Sequence, residues 1–275
     1  MKIRAAIIPA AGIGTRFLPL TKAIPKEMIP LIDKPTIQHV VEEAIDAHLS
    51  DLFIVIGNNK QAIVDYFSSP YEHADLLKEK DKKRLKETLE NRIAKATIRY
   101  LAQPKPLGLG HAILMARTVI EPNSYFSVLL PDDILVGTEP AIGTMAQLAK
   151  QNNAAVIAVQ EIPQEKISAY GVISIAEQLN HDLYEVSCLV EKPKKENAPS
   201  NLAIVGRYIL PHKIIAILDS MQGNSGELQL TDAIQKLIET GEKVLAYKIP
   251  HKRFDTGTPH GWLEAIGHFG LNDLR

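Results

Sequence analysis

The sequence predicts an α/β fold in which helices flank a mixed, mostly parallel central sheet. Apolar, β-branched runs at residues 4–10 and 51–57 are typical of strands that are buried on both faces. Segments with helical periodicity, at 35–49 and 60–67, alternate with these strands. Residues 170–193 contain two further strand patterns separated by "EQLNHD", which is typical of a hairpin. We therefore expect a Rossmann-like domain with an additional small β-hairpin.

The remaining elements continue in the same order along the chain. We predict further strands at 97–103, 125–133, 154–162, 201–210 and 243–249, and helices at 110–120, 139–152, 211–220, 228–240 and about 259–270. The Lys- and Glu-rich stretch 72–96 predicts a solvated helix or helical pair. No repeat or long linker divides the 275 residues, so we expect one domain over 1–275.

Composition and charge exclude several classes of protein. The chain is 45% hydrophobic and 23% charged, which is typical of a globular protein with a core. Its net charge of −1 gives no support for a nucleic-acid partner. The single cysteine, Cys188, excludes an intrachain disulfide, and we expect it to be a small buried residue of a strand. Pro9 and Gly12 interrupt the early apolar run, so we expect a cytoplasmic protein without a membrane partner.

A small-residue turn follows the first strand. Gly12 and Gly14 permit a tight turn and a close approach of backbone N–H groups to a ligand. The third glycine of a dinucleotide-binding turn and the Gly-Lys-Ser/Thr of a Walker loop are both missing. A purely structural turn therefore remains open from this pattern alone. Arg16 and Lys26, on a proline-rich loop, favour a site for a triphosphate.

Acidic residues follow two other predicted strands. Asp132 and Asp133 come after the run "YFSVLLP", and Asp255 follows a late strand. Ligands of open α/β sheets bind beyond the carboxyl ends of the strands. Carboxylates there suit Mg²⁺, which takes one or two of them together with phosphate oxygens. Helix caps or turns are the alternative interpretation of each acid.

Two further patterns suggest contacts with a nucleotide and a sugar. Lys192 could meet a phosphate and Glu191 a sugar hydroxyl. The Gln103 amide could pair with the edge of a base, and Gly108 would let that base lie against backbone. His111 has no visible partner, and we expect it to be structural.

Eight motifs, in order, resemble the bacterial sugar-phosphate nucleotidyltransferases, and the resemblance extends from about residue 3 to 267. The motifs are "PAAGIGTRFLPLTKAIPKEMIPLIDKPTIQ", "QPKPLGLGHAI", "LLPDD", "YGV", "VEKP", "VGRYIL", "GELQLTDAI" and "FDTGTPHGW". The pairs Ala11-Gly12 and Lys26-Glu27 differ from those of the thymidylyl-transferring relatives and favour uridine. Asp133 departs from many relatives, which carry an apolar residue or asparagine there.

The resemblance implies a role for each motif residue. Uridine would contact Ala10, Ala11, Gly12, Glu27, Gln103 and Gly108; Arg16, Lys26 and Lys192 would hold phosphates; Asp132 and Asp255 would bind Mg²⁺; glucose would contact Gly171, Glu191, Val205 and Gly206, with Glu227 supporting the sugar side. Gly14 and Asp133 complete the expected substrate-binding set. The catalytic residues would be Arg16, Lys26, Asp132 and Lys192.

The implied reaction joins glucose 1-phosphate to the α-phosphorus of UTP and releases pyrophosphate. The resemblance divides the chain into a nucleotide-binding half of about 1–135 and a sugar-binding half of about 136–260. It also implies a dimer or tetramer, for which the apolar stripe of Trp262, Ile266 and Phe269 could supply a face, although the same stripe could be ordinary core. Thymidylyl or adenylyl transfer, or a non-catalytic nucleotide-sugar sensor, remain alternatives.

Overall fold

The computed structural model describes residues 2–222 and 226–273. Within them the strands are β1 Ile3–Ala10, β2 Pro30–Leu31, β3 Lys34–Pro35, β4 Asp51–Ile56, β5 Thr97–Ala102, β6 Tyr125–Leu129, β7 Asp133–Val136, β8 Ala155–Glu161, β9 Gly171–Gln178, β10 Leu183–Glu191, β11 Leu202–Pro211, β12 Val244–Lys248 and β13 Lys252–Asp255. The helices are α1 Thr36–Asp46, α2 Gln61–Ser68, α3 Glu79–Leu85, α4 Asn91–Ile93, α5 Leu109–Leu114, α6 Ala141–Asn152, α7 Lys213–Ser220, α8 Leu230–Glu239 and α9 Pro259–Asp273.

The central sheet has the strand order β5-β4-β1-β6-β11-β8-β12-β10-β9. Strands β5, β4, β1 and β6 run parallel, and β11 is antiparallel to both β6 and β8. Strands β9 and β10 form the predicted hairpin. The α/β class with a mixed central sheet is thus confirmed, and its parallel pairing is concentrated in the part that contains β1.

The core lies on both faces of this sheet. Consecutive residues of a strand point to opposite faces, so Ile7 and Ile8 of β1 belong to two different buried clusters. Val41 of α1 and Met145 of α6 pack on the Ile8 side, whereas α5, α7 and α8 cover the Ile7 side. The continuous apolar run of β1 follows from this double coverage, which leaves the carboxyl end of the strand as its accessible end.

A second, two-stranded sheet joins distant parts of the chain. Strands β7 and β13 pair antiparallel, with Asp133 opposite Asp255. The sequence predicts only a bend at 250–253, because two strands of four residues carry little periodicity. This sheet fixes the loop after β6 against the loop before α9.

The structure differs from the sequence predictions in the length of one helix, the regularity of another and the burial of Cys188. Helix α5 ends at Leu114 because Ala116 and Arg117 make tighter i→i−3 backbone bonds after it. Stretch 72–96 is largely exposed, as predicted, but a π-turn at Lys86–Glu90 interrupts its helix. Cys188 lies in β10, as predicted, yet it is only half-buried.

The apolar stripe of α9 packs against the core. Trp262, Ile266 and Phe269 are partly buried against the cluster that contains Ile8. The Trp262 indole donates a hydrogen bond to the Pro30 carbonyl at 3.0 Å. Among the described residues, no helix has the length and apolar character needed to cross a bilayer.

Candidate active site

A cleft of about 500 Å³ opens beyond the carboxyl ends of β1 and β6. Its wall brings together residues that are far apart in the sequence. From the candidate set it includes Ala11, Gly12, Gly14, Arg16, Lys26, Gln103, Gly108, Asp132 and Glu227. The other candidate residues do not line this cleft; they are Ala10, Glu27, Asp133, Gly171, Glu191, Lys192, Val205, Gly206 and Asp255.

The small-residue turn forms one side of the cleft. Gly14 has a φ of +72°, which a residue with a side chain rarely adopts. A Cβ at Gly14 would lie 3.1 Å from Thr21 Cγ2 and 3.2 Å from Lys26 Cβ, so the turn also needs a small residue for space. Ala10 is fully buried in the core, and it is Ala11 and Gly12 that face the cleft. The Ala10 methyl group belongs to the buried core, and the contact of Ala10 with uridine remains a prediction.

Lys26 and Asp132 form an ion pair across the cleft floor, with 2.5 Å between Nζ and Oδ2. Burial disfavours the charge of both groups, but their mutual attraction and hydrogen bond, together with Glu27 near Lys26 and Arg253 near Asp132, outweigh it. The pKa of Lys26 is therefore raised and that of Asp132 is lowered. Arg16 lies nearby, and its Nη1 is 3.5 Å from the Gly257 carbonyl oxygen. Both members of the pair are charged at neutral pH, so the cleft offers an ammonium and a carboxylate at one place.

Asp132 and Asp255 converge beside Gly257. A Cβ added at Gly257 would lie 2.9 Å from Asp132 Oδ2 and 3.1 Å from Asp255 Oδ1. The Thr256 backbone N–H donates to the Asp132 carbonyl oxygen at 2.8 Å and holds the two loops together. The glycine thus leaves a small space that both carboxylates border.

This arrangement fits a cation that completes its shell with ligands from substrate. The residues that the structure describes contain no cluster of three or more His, Cys, Asp or Glu side chains suited to a metal. Two carboxylates plus phosphate oxygens are a common ligand set for Mg²⁺.

Asp133 points away from the cleft and is not part of its lining, and its contact with substrate remains a prediction. Its Oδ1 pairs with Arg253 at 2.5 Å, and its Oδ2 accepts a hydrogen bond from the Gly206 N–H at 2.8 Å. The side chain is buried; burial raises its pKa, although Arg253 opposes that shift. Because β7 begins at Asp133, the side chains of Asp132 and Asp133 alternate to opposite sides, and only the first reaches the cleft.

Sequence reasoning missed Arg207, which is fully buried in β11. Its guanidinium pairs with Glu43 of α1 at 2.6–3.1 Å. It also donates to the carbonyl oxygens of Leu130, Gly206 and Asp133 at 2.8–3.1 Å. Arg207 therefore holds both ends of the loop that carries Asp132. A charged residue within the otherwise apolar run "AIVGRYIL" was the available signal.

Glu27 also does not line the cleft, and its contact with uridine remains a prediction. It is 2% exposed and pairs with buried Lys60, with 2.6 Å between Oε2 and Nζ. Burial raises the pKa of Glu27, and Lys60 opposes the shift. The short helical turn at Lys26–Met28 directs Lys26 to the cleft and Glu27 to the interior.

The sugar-side candidates form a second group. Glu191 Oε2 accepts a hydrogen bond from Thr231 Oγ1 at 2.6 Å and lies 3.1 Å from the position of a Cβ on Gly171. Lys192 has a φ of +45°, and its Nζ lies 3.4 Å from Glu191 Oε1. Val205 and Gly206 are buried in β11 and do not line the cleft.

Gln103 and Gly108 meet at the far end of the cleft. Gln103 Nε2 donates to the Gly108 carbonyl oxygen at 3.2 Å. Glu227 lies across from Gly108, since its Cβ is 3.0 Å from the position that a Cβ on Gly108 would take. Glu227 thus borders this end of the cleft, and its support of the sugar side remains a prediction.

Comparisons with known sequences match nearly the whole chain. Residues 5–269 match the family described as nucleotidyl transferase. A UTP–glucose-1-phosphate uridylyltransferase of Bacillus subtilis is 45% identical over 273 residues, which cover 99% of this chain and 92% of that protein. One from Pseudomonas aeruginosa is 44% identical over 266 residues, with 96% and 94% covered.

Solved structures of similar proteins have the same fold as this chain. A UDP-glucose pyrophosphorylase complexed with UDP-glucose has a TM-score of 0.89 and 39% identity, covering 98% of this chain and 100% of that one. A UTP-bound UGPase from Acinetobacter baumannii has a TM-score of 0.87 and 38% identity, with 98% and 94% covered.

Proposed function

The chain belongs to the nucleotidyl transferase family, and on that premise we propose that it transfers the uridylyl group of UTP to glucose 1-phosphate. The products are UDP-glucose and pyrophosphate. The observation that carries the proposal is the convergence of Asp132 and Asp255 beside Gly257, where Asp132 also pairs with Lys26 on the cleft lining. This arrangement supplies the charges that a nucleotide and a second phosphate require.

The central difficulty of the reaction is to bring one anion onto another. An oxygen of the sugar phosphate forms a new bond to the α-phosphorus, and the bond to the β-phosphate breaks. That oxygen is already anionic, so no general base is needed. Arg16 and Lys26 lie on the cleft wall, where they can orient and neutralise the triphosphate.

We assign Mg²⁺ to Asp132 and Asp255. When bound, Mg²⁺ would neutralise charge on the phosphates and on the departing pyrophosphate. Lys26 already neutralises Asp132 and is partly exposed, so its ammonium can turn toward a phosphate within the cleft.

The remaining assignments follow the two ends of the site. Ala11, Gly12 and Gln103 would contact the uracil base at the end marked by Gly108. Glu191 would accept hydrogen bonds from glucose hydroxyls near Gly171, and Lys192 would contact the phosphate of the sugar.

We also expect an even-numbered homo-oligomer, which light scattering would measure.

Pyrophosphate release tests the function directly. We expect release from UTP with glucose 1-phosphate and Mg²⁺, and much less from ATP, CTP or dTTP or after chelation of the metal. A higher rate of pyrophosphate release from dTTP or ATP than from UTP would assign a different base to the substrate. Absence of pyrophosphate release from all four nucleotides would refute catalysis.

A glycine variant tests the metal assignment while both carboxylates remain. Gly257→Ala places a methyl group within 2.9 Å of Asp132 Oδ2. We expect a loss of roughly 10²-fold in turnover, which is the size expected for one misplaced catalytic contact. Gly267→Ala is the matched control, since a Cβ there meets nothing within 4 Å among the described residues. Equal rates for the two variants would contradict the assignment.

A further inference from the structure

The Gln103 amide is held on its nitrogen side by two acceptors. Its Nε2 lies 3.2 Å from the Gly108 carbonyl oxygen and 2.8 Å from His111 Nδ1. A backbone carbonyl can only accept a hydrogen bond, so the amide atom that faces Gly108 must be the nitrogen. Gln103 is 4% exposed, and this enclosure leaves it one orientation. The positions of its nitrogen and oxygen are therefore fixed by chemistry.

The contact with His111 fixes the state of the imidazole as well. The amide nitrogen carries only donors, so His111 Nδ1 must accept, and the ring proton must be on Nε2. Partial burial, together with the charge of Arg117, lowers the pKa of His111 and keeps the ring neutral. A protonated His111 would present an N–H to the Gln103 N–H, and the contact would be lost.

The opposite side of the amide faces the cleft. Gln103 contributes to the cleft lining, and none of the hydrogen bonds of the described residues reaches its Oε1. An oxygen at this place accepts from a base that carries an N–H on its ring, as uracil does at N3. Cytosine has a lone pair at the same ring position and would be repelled. Thymine carries the same N–H as uracil and would not be distinguished by this contact.

We propose that His111 is a positioning residue that holds the Gln103 carbonyl oxygen toward the cleft and thereby sets the preference for UTP over CTP. The inference rests on the proposed function, because it concerns the base end of the same cleft. His111 acts through Gln103, and it belongs to the short helix α5 that begins directly after Gly108.

Two variants separate hydrogen bonding from packing. His111→Asn keeps an acceptor, since the amide oxygen of asparagine occupies nearly the place of Nδ1. His111→Leu fills a similar volume without any acceptor. The ratio of kcat/KM for UTP to that for CTP is measured for both variants and the unaltered protein. For His111→Leu we expect this ratio to fall by about tenfold or more, through KM rather than kcat, as the amide is freed to rotate. For His111→Asn we expect it to stay within about threefold of the original.

The outcomes distinguish the inference from the function on which it rests. An unchanged ratio in His111→Leu, or an equal loss in both variants, would overturn the role of His111. Absence of pyrophosphate release from UTP by the unaltered protein would instead overturn the proposed function. Nitrogen NMR of the ring gives an independent reading: we expect the proton on Nε2 at neutral pH, and a proton on Nδ1 would overturn the inference whether or not a variant folds.

Discussion

Replacement of Glu43 by glutamine tests how the Asp132 loop is held. Arg207 is fully buried, and Glu43 accepts its Nε and Nη2 hydrogens at 2.6–3.1 Å. Glutamine has nearly the same shape but no charge, and half of its amide is a donor. The Glu43→Gln variant therefore leaves the buried guanidinium without the carboxylate that pairs with it directly.

The expected loss follows from the burial of the pair. Breaking a buried ion pair by removing one partner costs about 3–5 kcal/mol. Arg207 keeps its carbonyl acceptors, and the Glu43 side chain is 11% exposed, so some water can reach the site. We therefore expect a loss near the lower limit, about 3 kcal/mol, which corresponds to a fall in Tm of roughly 5–10 °C.

Urea and thermal denaturation would measure this loss against a matched pair. Lys213 and Glu242 are 2.9 Å apart, with side chains 47% and 37% exposed. The Glu242→Gln variant loses a pair of the same chemistry, and we expect a change below about 1 kcal/mol. If the two variants lost the same stability, Glu43 would not be compensating a buried charge, and the proposed support of the loop would be wrong.

Three further predictions concern single side chains. Asp132→Ala should lower turnover at saturating Mg²⁺ by roughly 10²–10³-fold while the fold persists by circular dichroism, and a near-normal rate would exclude Asp132 from catalysis. Lys192→Ala should lower kcat more than it weakens UTP binding, measured by titration calorimetry; unchanged kinetics for glucose 1-phosphate would contradict this. Burial lowers the pKa of His39 to about 4 from 6.5, so the unfolded chain binds an extra proton between these values. Stability should therefore fall as pH drops through that window, by up to about 3 kcal/mol, and His39→Phe should remove this loss; equal pH slopes in urea unfolding would refute the assignment.

The strands and helices of the central fold were predictable because burial on both faces leaves a strong pattern. Strand β1 and strand β4 are nearly continuous apolar runs, and α1 shows helical periodicity after a proline. The pairing of β7 with β13 was not predictable, because register between two distant four-residue strands depends on the rest of the fold. That pairing is nevertheless what brings Asp255 to Asp132.

For adjacent residues of similar or complementary chemistry, the sequence could not predict which side chain faces the cleft. Asp132 and Asp133 are identical in type, yet consecutive residues at a strand start face opposite sides. Lys26 and Glu27 divide in the same way between the cleft and the interior. A sequence motif marks the neighbourhood of a site, but the side-chain direction depends on where the strand or turn begins.

Burial of each ion pair separates the groups that can exchange partners from those that cannot. The pairs Asp133–Arg253 and Glu43–Arg207 have side chains no more than 11% exposed, and breaking either leaves a charge without water. In the Lys26–Asp132 pair, by contrast, the side chains are 20% and 30% exposed and border the cleft. Solvent lowers the cost of separating such a pair, so its members can turn to a phosphate or a cation. Ion pairs between acidic and basic side chains thus fix the Asp132 loop where they are buried. Where the pair is partly exposed, in the cleft, its members remain available to substrate.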